Sequence, residues 1–197
     1  MVSVLRAVVA LVVCGGLALG IGSAPASASV ASATTAARDL VAAMEERLAL
    51  AVPVAAAKRA SGTPVDDPVR EAQGADAFVA LVAPFGIPDA QARTFIQAQF
   101  EASKVVQRAL LQQWAARPDT VPAGDPPNLV TQVRPAIDAA TTRLADAYVQ
   151  ARQVAEANPR AWRAAVAEIL RAPAGEWRWQ RDSIRTALRP ALALGRA

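Results

Sequence analysis

Charged residues that could bind or transform a small ligand are concentrated between Lys58 and Glu71, in the stretch KRASGTPVDDPVRE. Gly62, Pro64 and Pro68 interrupt this stretch, so it connects two helical patterns rather than continuing either one. Cations and carboxylates meet within this single short connection, namely Lys58, Asp67, Arg70 and Glu71. The density of charge indicates a site for chemistry.

Two helical patterns direct further polar groups toward the same region. Residues with the four-and-three spacing of a buried helix face precede the connection and include two cations: Leu40, Met44, Arg47, Ala51, Val54 and Lys58. A later stripe includes a hydroxyl and an amide: Ile96, Phe100, Ser103, Gln107, Leu110 and Trp114. A buried charge without a partner costs several kcal/mol, and neither stripe contains an acidic residue. The simplest partner for these cations is a bound anion.

The spacing of Arg47 and Lys58 constrains the size of that anion. On a regular helix these residues lie about 20° apart around the axis and roughly 16 Å apart along it, so their long side chains can converge on a small molecule with two carboxylates. A structural alternative stays open at this point. A competing apolar stripe, Val41, Met44, Leu48, Val52 and Ala55, would let both cations reach solvent along its edge. Ser103 and Gln107 would then be ordinary buried polar residues.

The composition predicts an all-α protein, with one helical bundle of about six helices spanning residues 35–197. Apolar residues make up 53% of the chain, alanine is abundant, and no segment has the pattern of a strand. Helices are expected at about 35–61, 68–82, 89–116, 160–171 and 175–194. A further helix is expected to begin between residues 129 and 135 and to end at about 157. Pro53 predicts a kink near Leu50 within the first of them.

Residues 1–28 have the pattern of a cleaved secretory signal peptide. Arg6 precedes an apolar run at residues 7–19, and Ala26-Ser27-Ala28 provides the small residues of a cleavage site. Residues 29–34 are then expected to be a disordered tail. The prediction is a secreted or periplasmic protein without a stable membrane anchor after cleavage; a retained anchor is the alternative.

The composition also excludes several classes of chemistry. The chain has no histidine, and its single cysteine, Cys14, leaves with the signal peptide. A Ser-His-Asp triad, a cysteine nucleophile and an ordinary zinc site are therefore excluded, and we expect no metal and no cofactor. The chain has 21 basic and 17 acidic residues, and one basic residue, Arg6, is removed with the signal peptide. The remaining charge of about +3 is too small to indicate a nucleic-acid partner.

The charged connection resembles the signature of the all-helical chorismate mutases. The matching residues are Lys58, Pro64-Val65, Asp67 and Arg70-Glu71, preceded by Arg47 in EERL and followed by Ser103 and Gln107. The signal peptide, the additional C-terminal helices and Arg134 in VRPAID resemble the secreted subclass. This resemblance covers about Arg38 to Leu144. It implies a rearrangement of chorismate, a dicarboxylate, to prephenate without nucleophile or cofactor.

The resemblance also implies a role for each site residue. Arg47 and Ser103 would hold the ring carboxylate, and Lys58 and Arg134 the side-chain carboxylate. Lys58 and Gln107 would donate to the ether oxygen. Since an amide donates at any pH whereas a glutamate at this position must first be protonated, Gln107 predicts a flat pH profile of kcat.

The acidic residues and the assembly follow from the same resemblance. Glu71, with Asp67 as a second candidate, would accept from the ring hydroxyl, and Arg70 would shape the pocket. Gly74 stands where some relatives carry a glutamine that touches the site, so it is left out of the predicted site. In cytoplasmic relatives the partner subunit supplies one pocket arginine, and Arg134 of the same chain resembles its replacement in the secreted subclass. The resemblance therefore implies a homodimer with a complete site in each protomer.

Two other functions remain open on the sequence. An isochorismate pyruvate lyase would use similar cations on the same scaffold. A non-enzymatic periplasmic helical binding protein would carry inward cations for structural reasons.

Overall fold

The computed structural model describes residues 26–171, together with Pro190 and Leu194. Within this part of the chain all regular structure is helical, which confirms the predicted all-α fold. The helices are α1 (Ala26–Ala49), α2 (Ala51–Ser61), α3 (Pro68–Val82), α4 (Asp89–Ala116), α5 (Arg134–Ala157) and α6 (Pro159–Arg171). Short 3-10 turns at Ala83–Phe85 and Pro118–Thr120 and a π turn at Leu129–Val133 connect them.

The first predicted helix is divided at Leu50, where the kink was expected. Proline has no backbone N–H, and its ring clashes with the carbonyl four residues earlier. Pro53 therefore cannot donate the usual helical hydrogen bond to the backbone carbonyl of Ala49. The amide of Leu50 instead donates to the carbonyl of Arg47 (3.3 Å), and α2 restarts with the amide of Val54 donating to Leu50 (3.1 Å).

Residues 29–34 are helical, so the prediction of a disordered tail is wrong for this segment. They belong to α1, and the side chain of Ala33 is fully buried. Small residues at helical spacing, Ala33, Ala36 and Ala37, allow α1 to lie close against α5 and α6. The local composition does not indicate this tertiary contact. The helix predicted at 175–194 and most of the signal peptide lie outside the described residues. None of the helices described here has the length and apolarity needed to cross a membrane.

The start of α3 is determined by its capping residues. Asp67 precedes the helix, and its Oδ1 accepts a hydrogen bond from the backbone N–H of Arg70 (3.1 Å). Pro68 occupies the first turn, where a missing N–H has no cost. Before this cap, Gly62 adopts φ 69° and ends α2 in the left-handed conformation that glycine favours. The connection between α2 and α3 is thus held at both ends.

An aromatic cluster fixes α3, α4 and α5 relative to one another. The ring centroids of Phe78 and Phe95 lie 5.7 Å apart, those of Phe95 and Tyr148 4.2 Å apart, and those of Phe78 and Tyr148 5.8 Å apart. All three side chains are buried. Since such contacts add to the burial of large apolar areas, this cluster is a rigid support for the polar residues at the other end of the same helices.

Candidate active site

A cavity of about 560 Å³ lies among α1, α2, α3, α4, the π turn and α5. This volume is in the range of small-molecule sites. The structure brings every predicted site residue to its wall: Arg47, Lys58, Asp67, Arg70, Glu71, Ser103, Gln107 and Arg134. The roles assigned to these residues in binding or catalysis remain predictions.

Arg47 is a buried cation whose charge no carboxylate of the described residues balances. Only 8% of its surface is exposed, and burial lowers the pKa of its guanidinium to about 10. Its Nε donates to Oγ1 of Thr141 at 3.3 Å, and its guanidinium carbon lies 5.1 Å from the ring centroid of Phe100. Within the described residues, the guanidinium forms no other hydrogen bond and no ion pair. Its terminal nitrogens are available for a ligand carboxylate.

Lys58 lies in the last turn of α2 and is equally buried. Its Nζ donates to the backbone carbonyl of Val65 at 2.7 Å, so the connection before α3 folds back over the ammonium group. Desolvation lowers the pKa of Lys58, opposed chiefly by the negative charges of Asp67 and Glu71. The positive charge of Arg134 lowers it further. An ammonium has three N–H donors, and Val65 uses one of them.

Arg134 enters the cavity at the start of α5 because of the π turn before it. The amide of Val133 donates to the carbonyl of Asn128, five residues earlier (3.1 Å), and the amide of Arg134 donates to Leu129 in the same way. Asn128 closes the turn, since its Oδ1 accepts from the amides of Val130 and Thr131, both at 2.9 Å. Turns of this type are rare and are frequent at functional sites. The turn directs a half-buried guanidinium to the ligand cavity.

Ser103 and Gln107 lie one turn apart on α4. Nε2 of Gln107 donates to Oγ of Ser103 at 3.0 Å, while Oε1 of Gln107 is buried and has no hydrogen-bond partner in the described part of the protein. Because a serine hydroxyl can donate as well as accept, a 180° rotation of the amide keeps the Ser103 contact and frees the nitrogen. In both orientations one polar amide atom of a cavity-lining residue lacks a partner. An unpaired buried polar atom is costly unless a ligand satisfies it.

Two acidic residues of the cavity, Glu71 and Asp138, already have cationic neighbours. Oε2 of Glu71 lies 3.1 Å from Nζ of Lys104, which also contacts Oε1 of Glu101 at 2.5 Å. Nη2 of Arg70 lies 3.6 Å from Oδ1 of Asp138. These pairs leave Arg47, Lys58 and Arg134 as cavity cations that no carboxylate within 4 Å neutralises, at least among the residues described. The site therefore has an excess of positive charge.

Most of the other residues that line the cavity were not predicted from the sequence, and four of them contact or adjoin the predicted site residues. Thr141 follows Arg134 by seven residues, two helical turns along the same face, and this spacing could have identified it. Phe100 belongs to the stripe of Ser103 but was assigned to the core. Lys104 contacts residues on α3 that no spacing rule connects with it. Gly74 was left out of the site, yet the structure places it in the cavity wall.

The described residues contain no group of three or more acidic or cysteine side chains able to hold a metal ion. The arrangement can instead bind an organic dianion. Three cations without an ion pair among the described residues and a cavity-lining amide surround a small space, and Arg47 and Lys58 are buried, which makes electrostatic interactions with them stronger than in bulk water. Fold and site are thus typical of all-helical enzymes that act on small dicarboxylates.

Comparison with known proteins is consistent with this class. The family model described as Chorismate mutase type II matches residues 32–108, which include every predicted site residue except Arg134. The crystal structure of chorismate mutase from Burkholderia thailandensis is 34% identical, with a TM-score of 0.62, and the alignment covers 80% of this chain and 99% of that one. The chorismate mutase from Burkholderia phymatum is 25% identical, with a TM-score of 0.65 and coverage of 81% and 98%.

The chain belongs to the chorismate mutase type II family, a family of isomerases. A comparison with curated protein sequences found no match.

Proposed function

We propose that the protein is an exported chorismate mutase that rearranges chorismate to prephenate. The observation that carries this proposal is the shared cavity of Arg47, Lys58 and Arg134, three cations that form no ion pair within 4 Å among the described residues. A dianionic substrate supplies the missing negative charge. Membership of the family and the similarity to two chorismate mutases support the same reaction.

The reaction asks the protein only for positioning and charge. As the ether C–O bond of the substrate breaks, a C–C bond forms within the same molecule, so no proton or electron enters or leaves. The enzyme must hold a flexible dianion in its folded conformer, which lowers the entropic part of the barrier. It must also stabilise the negative charge that develops on the ether oxygen.

The two carboxylates of the substrate would be held at separate cations. Arg47 offers its terminal nitrogens to the ring carboxylate because its Nε is engaged by Thr141, and Ser103 adds a hydroxyl. Lys58 and Arg134 hold the side-chain carboxylate. Lys58 keeps two N–H donors after its bond to Val65, so it can contact both that carboxylate and the ether oxygen. Gln107 supplies the second donor to the oxygen.

The ring hydroxyl of the substrate would donate to a carboxylate of the α2–α3 connection. Asp67 uses Oδ1 to cap α3, and its Oδ2 forms no hydrogen bond within the described chain. Both oxygens of Glu71 are engaged, one by Lys104 at 3.1 Å and one by the amide of Asp67 at 3.4 Å, but each carboxylate oxygen can accept more than one bond. Arg70 is held by Asp138 and adds positive potential from the cavity wall.

Export and assembly form the remaining part of the proposal. The pattern at residues 1–28 supports cleavage after a signal peptide and a secreted or periplasmic location. One chain supplies every proposed site residue, which supports an independent site in each protomer of the proposed homodimer. Sedimentation of the mature chain tests the assembly. Fractionation of cells that express the full chain, combined with sequencing of the mature N-terminus, tests export.

Incubating the purified mature chain with chorismate tests the activity. The absorbance of chorismate should fall, and mass spectrometry should identify prephenate as an isomer of unchanged mass. A parallel reaction with isochorismate separates the mutase from a pyruvate lyase, since a lyase releases pyruvate. Chorismate that remains unchanged at micromolar protein would refute the proposal and favour a binding protein.

A further inference from the structure

Gly74 occupies an unusual position for a glycine. It lies in the middle of α3 and is not among the described glycines with positive φ, so its backbone conformation is open to any residue. Glycine is nevertheless among the poorest helix formers. The reason for a glycine here must therefore lie in the space that a side chain would occupy.

That space is taken by Phe100 of α4. A β-carbon added at Gly74 would lie 3.1 Å from Cζ and 3.7 Å from Cε1 of the Phe100 ring. The first distance is shorter than an ordinary van der Waals contact between carbon atoms. Gly74 and Phe100 both line the ligand cavity. The missing side chain thus permits a close approach of the ring to α3.

The same ring also contacts Arg47. The guanidinium carbon lies 5.1 Å from the ring centroid, within the range of a cation–π interaction. Thr141 holds Nε at 3.3 Å. Ring and hydroxyl together restrain a buried cation that no carboxylate restrains among the described residues.

We propose that Gly74 and Phe100 are positioning residues for Arg47. The glycine lets the phenyl ring of Phe100 lie against α3, and from there the phenyl ring orients the guanidinium toward the carboxylate on the ring of the substrate. A side chain at position 74 forces the ring to move by a few tenths of an ångström, either toward Arg47 or into the cavity. Either movement displaces the cation or narrows the space for ligand. For its kinetic readout this inference rests on the proposed function.

A double-mutant cycle of Gly74→Ala and Phe100→Leu tests the coupling. In the parent background we expect Gly74→Ala to lower kcat/KM about tenfold, mainly through a higher KM, because the carboxylate loses its aligned partner. Phe100→Leu alone should also lower kcat/KM about tenfold. In the Phe100→Leu background, the smaller side chain leaves room for the methyl group, so Gly74→Ala should change kcat/KM less than twofold. Equal effects of Gly74→Ala in both backgrounds would overturn the proposal.

A second readout does not depend on turnover. The Nε–H resonance of Arg47, assigned by its loss in Arg47→Lys, reports the ring current of Phe100 in the ligand-free protein. We expect it to shift in Phe100→Leu and in Gly74→Ala. If wild-type protein fails to convert chorismate, the proposed function falls while this resonance still decides the inference. An unchanged resonance in Phe100→Leu would overturn it, including the case in which Gly74→Ala does not fold.

Ala72→Gly is the matched control on α3. Ala72 is exposed and does not line the cavity, so this variant changes helix propensity without touching Phe100. We expect a lower Tm, unchanged kcat/KM and an unchanged Arg47 resonance. A tenfold loss of activity in this control would show that α3 stability, rather than the ring contact, limits turnover, and would overturn the proposal.

Discussion

Replacing Arg47 with methionine should abolish most activity and yet stabilise the ligand-free protein. Methionine keeps an unbranched apolar stem of similar length, so it fills much of the same volume. Burial lowers the pKa of the Arg47 guanidinium well below its ordinary value, to about 10. At about 1.4 kcal/mol for each pH unit, this change corresponds to about 3 kcal/mol that the folded protein loses by keeping the cation charged.

Part of this cost is offset in the folded protein. The contact with the Phe100 ring and the bond to Thr141 together contribute roughly 1 kcal/mol to the stability of the charged form. Arg47→Met should then raise the free energy of unfolding by about 2 kcal/mol near neutral pH. For a chain of this size that corresponds to a Tm increase of roughly 4 to 8 °C.

The sign of the pH dependence follows from the same pKa difference. The folded-state pKa of Arg47 is the lower one, so the unfolded chain holds the proton more tightly. The wild-type protein therefore gains stability relative to Arg47→Met as pH rises above about 10, and the difference between them narrows. The higher free energy of unfolding of Arg47→Met is fully present below about pH 10.

Thermal unfolding followed by circular dichroism measures this prediction, with and without prephenate. A ligand at about 100 times its Kd stabilises a protein by roughly 2.7 kcal/mol, so wild type should gain Tm on ligand addition while Arg47→Met should gain little. Arg38→Met is the control, because Arg38 is exposed on the same helix and its replacement should change stability by less than about 0.5 kcal/mol. A lower Tm for Arg47→Met than for wild type would refute the reasoning, since the cation would then be a net contributor to folding.

The remaining predictions concern single roles in the site. Lys58→Ala should lower kcat/KM by about 100-fold, or about 3 kcal/mol of transition-state stabilisation, and activity within tenfold of wild type would remove Lys58 from its role. Wild-type kcat should be flat across neutral pH, whereas Gln107→Glu should favour acid because this buried carboxyl must be protonated to donate; equal activity of the variant and wild type at pH 8 would contradict this. Asp67→Ala should cost about 1 kcal/mol in a urea titration through loss of the α3 cap, while Asp67→Asn, which keeps an accepting oxygen, should cost less than half as much.

The parts of the fold that the sequence predicts well are those with a local physical cause. Asp67 and Pro68 determine where α3 begins, because a cap and a proline act on the first turn alone. Pro53 likewise predicts the break at Leu50. Residues 29–34 were misjudged because small side chains are neutral in local terms, and only the surfaces of α5 and α6 make it favourable to bury Ala33. Tertiary contact, which no local rule contains, determines that segment.

The residues of the candidate site likewise divide into those that a local sequence pattern identifies and those that only tertiary contacts reveal. Arg47 and Lys58 could be identified because a cation on an apolar stripe violates the usual pattern. Phe100 could not, since an aromatic residue on a core stripe is ordinary in itself, and the spacing of Thr141 from Arg134 indicates a shared helix face but no contact with Arg47. Their part in the site depends on a distance to Arg47, across helices that are far apart in the sequence. Sequence reasoning therefore finds the charged groups and misses what orients them.

Each unusual choice in the cavity wall lowers the stability of the empty protein. Among the described residues Arg47 and Lys58 lose water without forming an ion pair, Gln107 leaves one amide atom unpaired, and Gly74 weakens a helix. Unfavourable features of this kind persist where function requires them. A bound dianion would supply the missing charge and hydrogen-bond partner at once, so the cost of the empty site becomes binding energy for the ligand. The aromatic cluster of Phe78, Phe95 and Tyr148, buried on the same helices, supplies the rigidity that keeps the cavity open until the ligand arrives.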